Sequence, residues 1–315
     1  MTKVYLSAQL PNVATQTLEK AGLDVSSYDG DGLISHDELL KHVSDADFLI
    51  TPLSTKVDQE VIDAAPKLKL IANFGAGFNN IDTAYAKQKG IPVTNTPAVS
   101  TNAVAEVTIG LMLALSHRMV EGDHKMRNEG FPGWAPLYFL GHEIAGKTLG
   151  IFGLGNIGSD VARKANALGM NVQYYKPNRL SDPEERSMKV TYKPLADLIK
   201  TSDYITINAP QTPDTVHKFD AQAFKAMKKT ASIINVGRGP IIDEAALLDA
   251  LKSGEIASAA LDVYEKEPNV DDGFKSLKNV ILTPHVGNAT VEARAAMGNI
   301  VADNVVLVNS GKDAK

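Results

Sequence analysis

The stretch Thr148–Gly158 decides the fold: it reads TLGIFGLGNIG, an apolar run of strand type that leads directly into the pattern G-x-G-x-x-G. The amphipathic stretch Ile157–Leu168 continues from it and is predicted to be a helix. In this context Gly153 allows a tight turn, Gly155 lets a pyrophosphate approach the backbone, and Gly158 lets helix and strand pack closely. The helix N-terminus adds N–H donors and the positive end of the helix dipole. The stretch therefore predicts a dinucleotide-binding βα unit; the alternative is a glycine-rich turn that binds nothing.

On both sides of this stretch, short apolar runs alternate with helix-like segments. The predicted strands are Val4–Ala8, Phe48–Thr51, Leu70–Phe74, Ile91–Asn95, Thr148–Phe152, Asn171–Tyr175, Tyr204–Asn208, Ala231–Val236, Ala257–Leu261 and Val280–Leu282. This alternation is typical of βαβ crossovers and parallel sheets. The predicted fold class is therefore α/β, with two doubly wound parallel-sheet lobes of the Rossmann/flavodoxin-like type and a cleft between them.

The division into lobes follows from where the alternation is interrupted. A long helix from about Asn102 to Arg118 is followed by a loop rich in Gly and Pro, and the alternation then restarts. We expect a substrate-binding lobe of residues 1–99 that is completed by residues 288–315. Residues 100–287 are expected to form the dinucleotide-binding lobe, with five or six strands.

Composition excludes several functional classes. The chain has 315 residues, room for about two domains, and its formal net charge of −5 argues against nucleic acid or an anionic membrane as a partner. It has no Cys, which excludes disulfides and thiolate chemistry, and its histidines show no metal-ligand spacing, so no metal is predicted. The longest apolar run, Val107–Leu115, is too short to span a bilayer, and the N-terminus lacks a signal-peptide pattern. The expected location is the cytoplasm.

One position after the glycine loop bears on the choice of dinucleotide. The end of the second strand usually carries an Asp or Glu that binds the adenosine ribose of NAD, but this chain has Lys176 there, followed by Asn178 and Arg179. A guanidinium can bind a phosphate through two donors. The stretch therefore predicts a preference for NADP(H), with use of NAD(H) as the alternative.

Three further motifs follow the glycine loop in a fixed order: Asn235–Gly239 (NVGRG), Ala260–Pro268 (ALDVYEKEP) and Leu282–Thr290 (LTPHVGNAT). The N-terminal half adds Asn73–Asp82 (NFGAGFNNID) and Thr101–Glu106 (TNAVAE). Together these motifs resemble the D-isomer-specific 2-hydroxyacid dehydrogenase family, and the resemblance covers almost the whole chain.

Within that family the chain is most similar to the glyoxylate/hydroxypyruvate reductase branch, partly because of the triplets WAP at 134–136 and FLG at 139–141. The resemblance implies NAD(P)H-dependent reduction of a small 2-keto acid, such as glyoxylate or hydroxypyruvate, to the D-2-hydroxy acid.

The chemistry of that reduction can be assigned to three side chains. It needs a cation that holds the carboxylate and polarises the carbonyl, a proton donor, and a group that keeps the donor protonated. Arg238 fits the first role because a guanidinium stays charged and makes paired bonds. His285 fits the second, and Glu267 the third, since a neighbouring carboxylate favours the charged imidazole and orients the ring. The resemblance assigns the same roles. Taken singly, each has a plainer interpretation: a turn residue, a hydrogen-bonding histidine and a surface charge.

Other roles are implied by the resemblance. Beside Arg238, the substrate is expected to contact Leu53, Ala76 and Gly77, where small residues let backbone N–H groups face a carboxylate; a simple tight turn is the alternative. Asp262 is expected at the nicotinamide carboxamide. The remaining predicted cofactor contacts are Thr101, Gly153, Gly155, Asn156, Ile157, Gly158, Lys176, Asn178, Arg179, Pro210, Thr215, Val236 and Gly287.

The resemblance also implies a homodimer that uses the apolar helix around Val104–Leu115, although a core helix would explain this pattern nearly as well.

Two other functions remain open from the sequence. One is a formate or phosphite dehydrogenase on the same scaffold, but the Asn73–Asp82 motif offers no basic residue for a small inorganic anion. The other is a non-enzymatic dinucleotide sensor that binds protein partners, and the complete set of Arg238, Glu267 and His285 argues against it.

Overall fold

The computed structural model describes residues 1–314, which separate into two units. The first unit comprises Met1–Ser100 and the segment that begins at Ala289, and the second comprises Thr101–Asn288. Each unit contains one sheet in which all paired strands are parallel. The predicted α/β class, with two parallel-sheet domains, is confirmed.

Strands and helices alternate through most of the chain. The strands are β1 (Lys3–Leu6), β2 (Asp24–Ser27), β3 (Phe48–Pro52), β4 (Leu70–Phe74), β5 (Val93–Thr94), β6 (Thr148–Phe152), β7 (Asn171–Tyr175), β8 (Val190–Tyr192), β9 (Tyr204–Ile207), β10 (Ser232–Asn235), β11 (Ser258–Leu261) and β12 (Val280–Leu282). The helices are α1 (Asn12–Lys20), α2 (His36–Val43), α3 (Gln59–Asp63), α4 (Thr83–Gln88), α5 (Thr101–Ser116), α6 (Met119–Asn128), α7 (Asn156–Ala167), α8 (Asp182–Met188), α9 (Leu195–Thr201), α10 (Ala221–Ala226), α11 (Glu244–Ser253), α12 (Asp272–Lys275) and α13 (Val291–Asn309).

The first unit has the strand order β2-β1-β3-β4-β5, which is that of flavodoxin-like sheets. Helix α13 belongs to this unit and packs against α1 and β4. It brings Met297, Val301 and Val305 into the same buried cluster as Val4 and Phe48. The C-terminal segment is therefore part of the first unit's core.

The second unit has seven strands in the order β12-β11-β10-β9-β6-β7-β8. The prediction of five or six strands was wrong, because the short edge strand Val190–Tyr192 has too few apolar residues to form a recognisable run. The order reverses between β6 and β9, which is the point where ligands bind in doubly wound sheets. The glycine loop that follows β6 lies at this reversal.

Half of the residues of helix α5 are buried, and five of them, including the fully buried Ala105, belong to the second unit's apolar core. A core helix thus accounts for much of its apolar pattern, and the homodimer stays a prediction. Helix α6 was not predicted; only Met119, Val120 and Met126 among its ten residues have large apolar side chains, and none of its residues is buried. Within residues 1–314 no single helix has the length and apolar content to cross a membrane. The helices α5 and α6 have them only when taken together, and the chain bends by 62° between them.

Candidate active site

The glycine loop connects β6 to α7 in the predicted way. Gly153 has a φ of +99°, and a Cβ there would lie 2.6 Å from the backbone nitrogen of Ala209. A Cβ on Gly158 would lie 2.2 Å from the carbonyl oxygen of Gly153. Gly155 is the N-cap of α7, and a Cβ there would meet no atom within 4 Å. Packing therefore requires Gly153 and Gly158, whereas Gly155 leaves open space over a helix N-terminus with no acidic residue in its first turn, which fits a pyrophosphate.

The basic residues after β7 differ from one another in exposure and in their partners. Lys176 is half-buried and Asn178 exposed. Arg179 donates from Nε and Nη2 to the carboxylate of Glu185, at 2.8 and 3.0 Å, and from Nη2 to Asp182 at 3.2 Å. This hydrogen-bonded pair lowers the pKa of Glu185. One edge of the guanidinium is thus occupied, and only Nη1 has no acceptor among the described residues.

The predicted pair of His285 and Glu267 forms. Nδ1 of His285 lies 2.9 Å from Oε2 of Glu267, and Oε1 of Glu267 accepts the backbone N–H of Tyr264 at 3.1 Å. Burial favours the neutral form of the Glu267 carboxyl, but the hydrogen bond and charge of His285, the Tyr264 N–H and the charge of Arg238 outweigh it and lower its pKa. The carboxylate is therefore ionised beside the imidazole at neutral pH.

The backbone at His285 is held in an unusual conformation by Asp262. His285 has a φ of +53°, in the left-handed region that non-glycine residues seldom adopt. Asp262 is 1% exposed and accepts the N–H groups of Val286 and Gly287, both at 2.8 Å, and the hydroxyl of Thr283 at 2.6 Å. Asp262 therefore anchors the loop on both sides of His285, a role that sequence reasoning missed; its contact with the carboxamide stays a prediction.

The loop that carries Arg238 is fixed by the last residue of β10. The amide of Asn235 donates to the carbonyl of Arg238 at 3.0 Å and accepts the N–H of Gly237 at 3.1 Å. The guanidinium itself donates to the carbonyl of Gly237 at 2.7 Å. Burial lowers the pKa of the guanidinium, and the negative charge of Glu267 opposes that effect. Arg238 is thus a partly desolvated cation in the electrostatic range of Glu267.

Gly239 explains how the Arg238 loop meets the segment that carries Glu267. A Cβ on Gly239 would lie 1.9 Å from the carbonyl carbon of Tyr264 and 2.0 Å from its oxygen. No side chain fits there, so the two backbones are in direct contact. The sequence showed only a glycine after an arginine, and nothing in it indicated the partner.

A second histidine–carboxylate pair supports the same segment. His217 Nε2 lies 2.6 Å from Oε1 of Glu265, and the backbone N–H of Glu265 donates to Glu244 at 2.9 Å. Burial raises the pKa of Glu244. These residues were not predicted, because no motif connects positions so far apart in the chain.

The loop after β4 belongs to the first unit. Ala76 is exposed and Gly77 half-buried. A Cβ on Gly75 would lie 2.8 Å from Cγ of Leu53, so Leu53 packs directly against this loop. The predicted substrate contacts Leu53, Ala76 and Gly77 thus lie together in this unit.

Most of the other predicted positions follow strands of the second sheet. Since all of these strands are parallel, their C-terminal ends meet at one edge, where ligands bind. The predicted residues just after strand ends are Gly153 (β6), Lys176 (β7), Pro210 (β9), Val236 and Arg238 (β10), Asp262 (β11) and His285 (β12).

The remaining predicted cofactor positions lie at helix starts and in loops. Thr101 begins α5, Asn156 and Ile157 begin α7, and the Thr215 hydroxyl donates to the Pro210 carbonyl at 2.9 Å. No cluster of three metal-ligating side chains occurs within residues 1–314.

Comparisons with known proteins agree with this arrangement. Residues 109–287 match the profile of the NAD-binding domain of D-isomer specific 2-hydroxyacid dehydrogenases. A protein named as a 2-hydroxyacid dehydrogenase in Staphylococcus aureus (strain MRSA252) is 53% identical over 312 residues, which cover 99% of this chain and 98% of the relative.

Two solved structures are similar over nearly their whole length. A protein from Thermus thermophilus has a TM-score of 0.94 at 34% identity, covering 99% of this chain and 98% of the other. An NADPH-dependent glyoxylate/hydroxypyruvate reductase from Sinorhizobium meliloti, in complex with NADP and malonate, has a TM-score of 0.82 at 32% identity, covering 98% and 94%. The resemblance seen in the motifs is confirmed, and this chain belongs to the D-isomer specific 2-hydroxyacid dehydrogenase family of NAD(P)-dependent oxidoreductases.

Proposed function

We propose that this enzyme reduces a small 2-keto acid, with glyoxylate and hydroxypyruvate as the leading substrates, to the D-2-hydroxy acid, and that His285 is the general acid. The 2.9 Å contact between Nδ1 of His285 and Glu267 carries the proposal. It leaves Nε2 without a partner in the described part of the chain, on a side chain that is 32% exposed. The name of the Sinorhizobium meliloti relative supports the substrate class.

In the proposed reaction, the glycine loop between β6 and α7 would hold a reduced nicotinamide dinucleotide, which would supply the hydride for the keto carbon. Arg238 binds the substrate carboxylate together with the N–H groups of Ala76 and Gly77, and its charge polarises the keto oxygen. His285 donates its Nε2 proton to that oxygen as negative charge develops there. Glu267 accepts the Nδ1–H and so fixes the orientation of the imidazole ring.

The test is turnover of a panel of 2-keto acids with NADPH and with NADH, followed by cofactor absorbance. We expect reduction of the small members of the panel. Tight dinucleotide binding without turnover of any 2-keto acid would contradict the proposal.

The proposed ligands of the dinucleotide are the glycine loop for the pyrophosphate and the basic residues after β7 for a 2′-phosphate. We propose a preference for NADPH because Lys176 replaces the usual carboxylate and because Nη1 of Arg179 still has two N–H donors to offer. Glu185 fixes the guanidinium and is itself held by the Tyr174 hydroxyl at 2.8 Å.

Replacement of Arg179 by alanine is expected to lower kcat/KM for NADPH by about 10- to 100-fold, the value of one charge-assisted hydrogen bond. The value for NADH should change far less, because NADH has no 2′-phosphate. The ratio of the two values is the measurement, since a general loss of stability affects both alike. Arg186→Ala is the matched control: it removes an exposed arginine from the helix that follows. A wild-type preference for NADH, or an unchanged ratio in Arg179→Ala, would contradict the assignment.

Replacement of Glu267 by glutamine is expected to lower kcat/KM for reduction by about 10²- to 10⁴-fold. The Tyr264 N–H keeps an oxygen of the side chain as its acceptor, so the amide nitrogen of the glutamine would face Nδ1 of His285. An amide N–H cannot accept the Nδ1–H, so the imidazole loses the group that fixes its orientation and tautomer.

The measurement is kcat/KM for wild type, Glu267→Gln and the control Glu265→Gln, which removes a carboxylate paired with His217 instead. An unchanged kcat/KM in Glu267→Gln, or an equal loss in Glu265→Gln, would exclude the pairing from the reaction.

A further inference from the structure

We propose that Asn73 and Asn95 are positioning residues for the substrate carboxylate. Their side-chain amides hold three successive carbonyl groups of the loop Gly75–Gly77, and this directs the N–H groups of the loop towards the anion. The inference rests on the proposed function, in which this loop binds the carboxylate.

Each carbonyl of the loop accepts a hydrogen bond from an asparagine amide. Nδ2 of Asn73 lies 2.6 Å from the oxygen of Gly77 and 3.3 Å from that of Gly75. Nδ2 of Asn95 lies 2.6 Å from the oxygen of Ala76. All three oxygens are therefore held towards side-chain donors of the protein.

Holding the carbonyls also sets the direction of the N–H groups. In a trans peptide the C=O of one residue and the N–H of the next point in opposite directions. The fixed carbonyls thus turn the N–H groups of Ala76, Gly77 and Phe78 away from the two asparagines. None of these three N–H groups donates to another described residue, and successive free N–H groups in a loop form an anion-binding nest.

A hydrogen bond from Asn80 fixes the orientation of the Asn73 amide. Asn80 donates from Nδ2 to Oδ1 of Asn73 at 3.2 Å, and also to the carbonyls of Pro52 and Thr55 at 3.2 and 3.0 Å. Asn73 therefore accepts on one side and donates on the other. The carbonyls of the loop can only accept, so an aspartate at this position could not replace the amide.

The placement of Asn73 indicates that the amide serves the loop rather than the sheet. Asn73 is 0% exposed, in a strand whose five residues are all buried and otherwise apolar. A buried amide is costly unless it is hydrogen-bonded, and the bonds of its Nδ2 go to the loop carbonyls.

The experiment compares Asn73→Asp and Asn95→Asp with Asn79→Asp, which places the same charge at an exposed position just after the same loop. Each aspartate at 73 or 95 sets a carboxylate against carbonyl oxygens and removes the donor. We expect KM for the 2-keto acid to rise about 10- to 100-fold in these two variants, the cost of leaving such a hydrogen bond unmade. We expect kcat and the KM for NADPH to stay close to wild type, and Asn79→Asp to behave as wild type. If Asn73→Asp fails to fold, Asn95→Asp, at a more exposed position, carries the test.

The outcomes separate this inference from the proposed function. Absence of turnover by the wild-type enzyme would overturn both. Turnover by wild type, with an unchanged KM in both variants, would overturn only the positioning role. An equal rise in KM for Asn79→Asp would attribute the effect to charge alone, and a loss confined to kcat would place the two amides outside carboxylate binding.

Discussion

Replacement of His285 by alanine is expected to lower kcat for keto-acid reduction by about 10²–10⁴-fold, the usual contribution of a general acid. The loop should keep its shape, because Asp262 holds it through the backbone of Val286 and Gly287 and not through the imidazole. Dinucleotide binding should therefore be retained. The measurements are kcat for the 2-keto acid at saturating NADPH and the Kd of NADPH, which is determined by fluorescence titration.

His217→Ala is the control for this experiment. His217 also pairs with a glutamate, at 2.6 Å, on the same segment of the chain. We expect a far smaller loss of kcat from it, since it has no part in the proposed chemistry. If His285→Ala turns over the 2-keto acid nearly as fast as wild type, His285 is not the general acid.

Replacement of Arg238 by glutamine is expected to lower kcat/KM by about 10²–10³-fold, the effect of removing a donor that stabilises developing negative charge. Glutamine still donates hydrogen bonds but carries no charge. The loop conformation should persist, because Asn235 bonds to the backbone of Arg238 and Gly237. The measurement is kcat/KM for the best 2-keto acid at saturating cofactor.

Arg238→Lys separates charge from geometry. It keeps the positive charge but loses the fork that pairs with a carboxylate, so we expect activity between that of Arg238→Gln and wild type. Equal activity of Arg238→Gln and wild type would show that no cation is needed at this position.

Much of the fold could be predicted because buried parallel strands have nearly continuous apolar runs. β3 and β4 are examples, and both were found within a residue or two. β2 was missed because its sequence, DVSS, lies at the edge of the sheet and has no fully buried residue.

The candidate site was predictable where motifs carry the family resemblance or a known binding geometry. The resemblance implied reduction of a keto acid, and an arginine, a glutamate and a histidine after strand ends fit the needs of that reaction. The glycine loop indicated the dinucleotide. The supporting contacts could not be predicted, because they join residues that are distant in the chain. The contact of Gly239 with Tyr264 and the occupied edge of Arg179 became visible only in three dimensions.

The place of α13 in the first unit has a consequence for biosynthesis. The core of this unit contains Val4 and Leu6 from the beginning of the chain, but also Val301 and Val305 from near its end. A ribosome makes the second unit without interruption, so that unit can fold while translation continues. The first unit keeps an apolar face uncovered until α13 has been synthesised, and a variant truncated before Val291 would leave that face exposed to solvent.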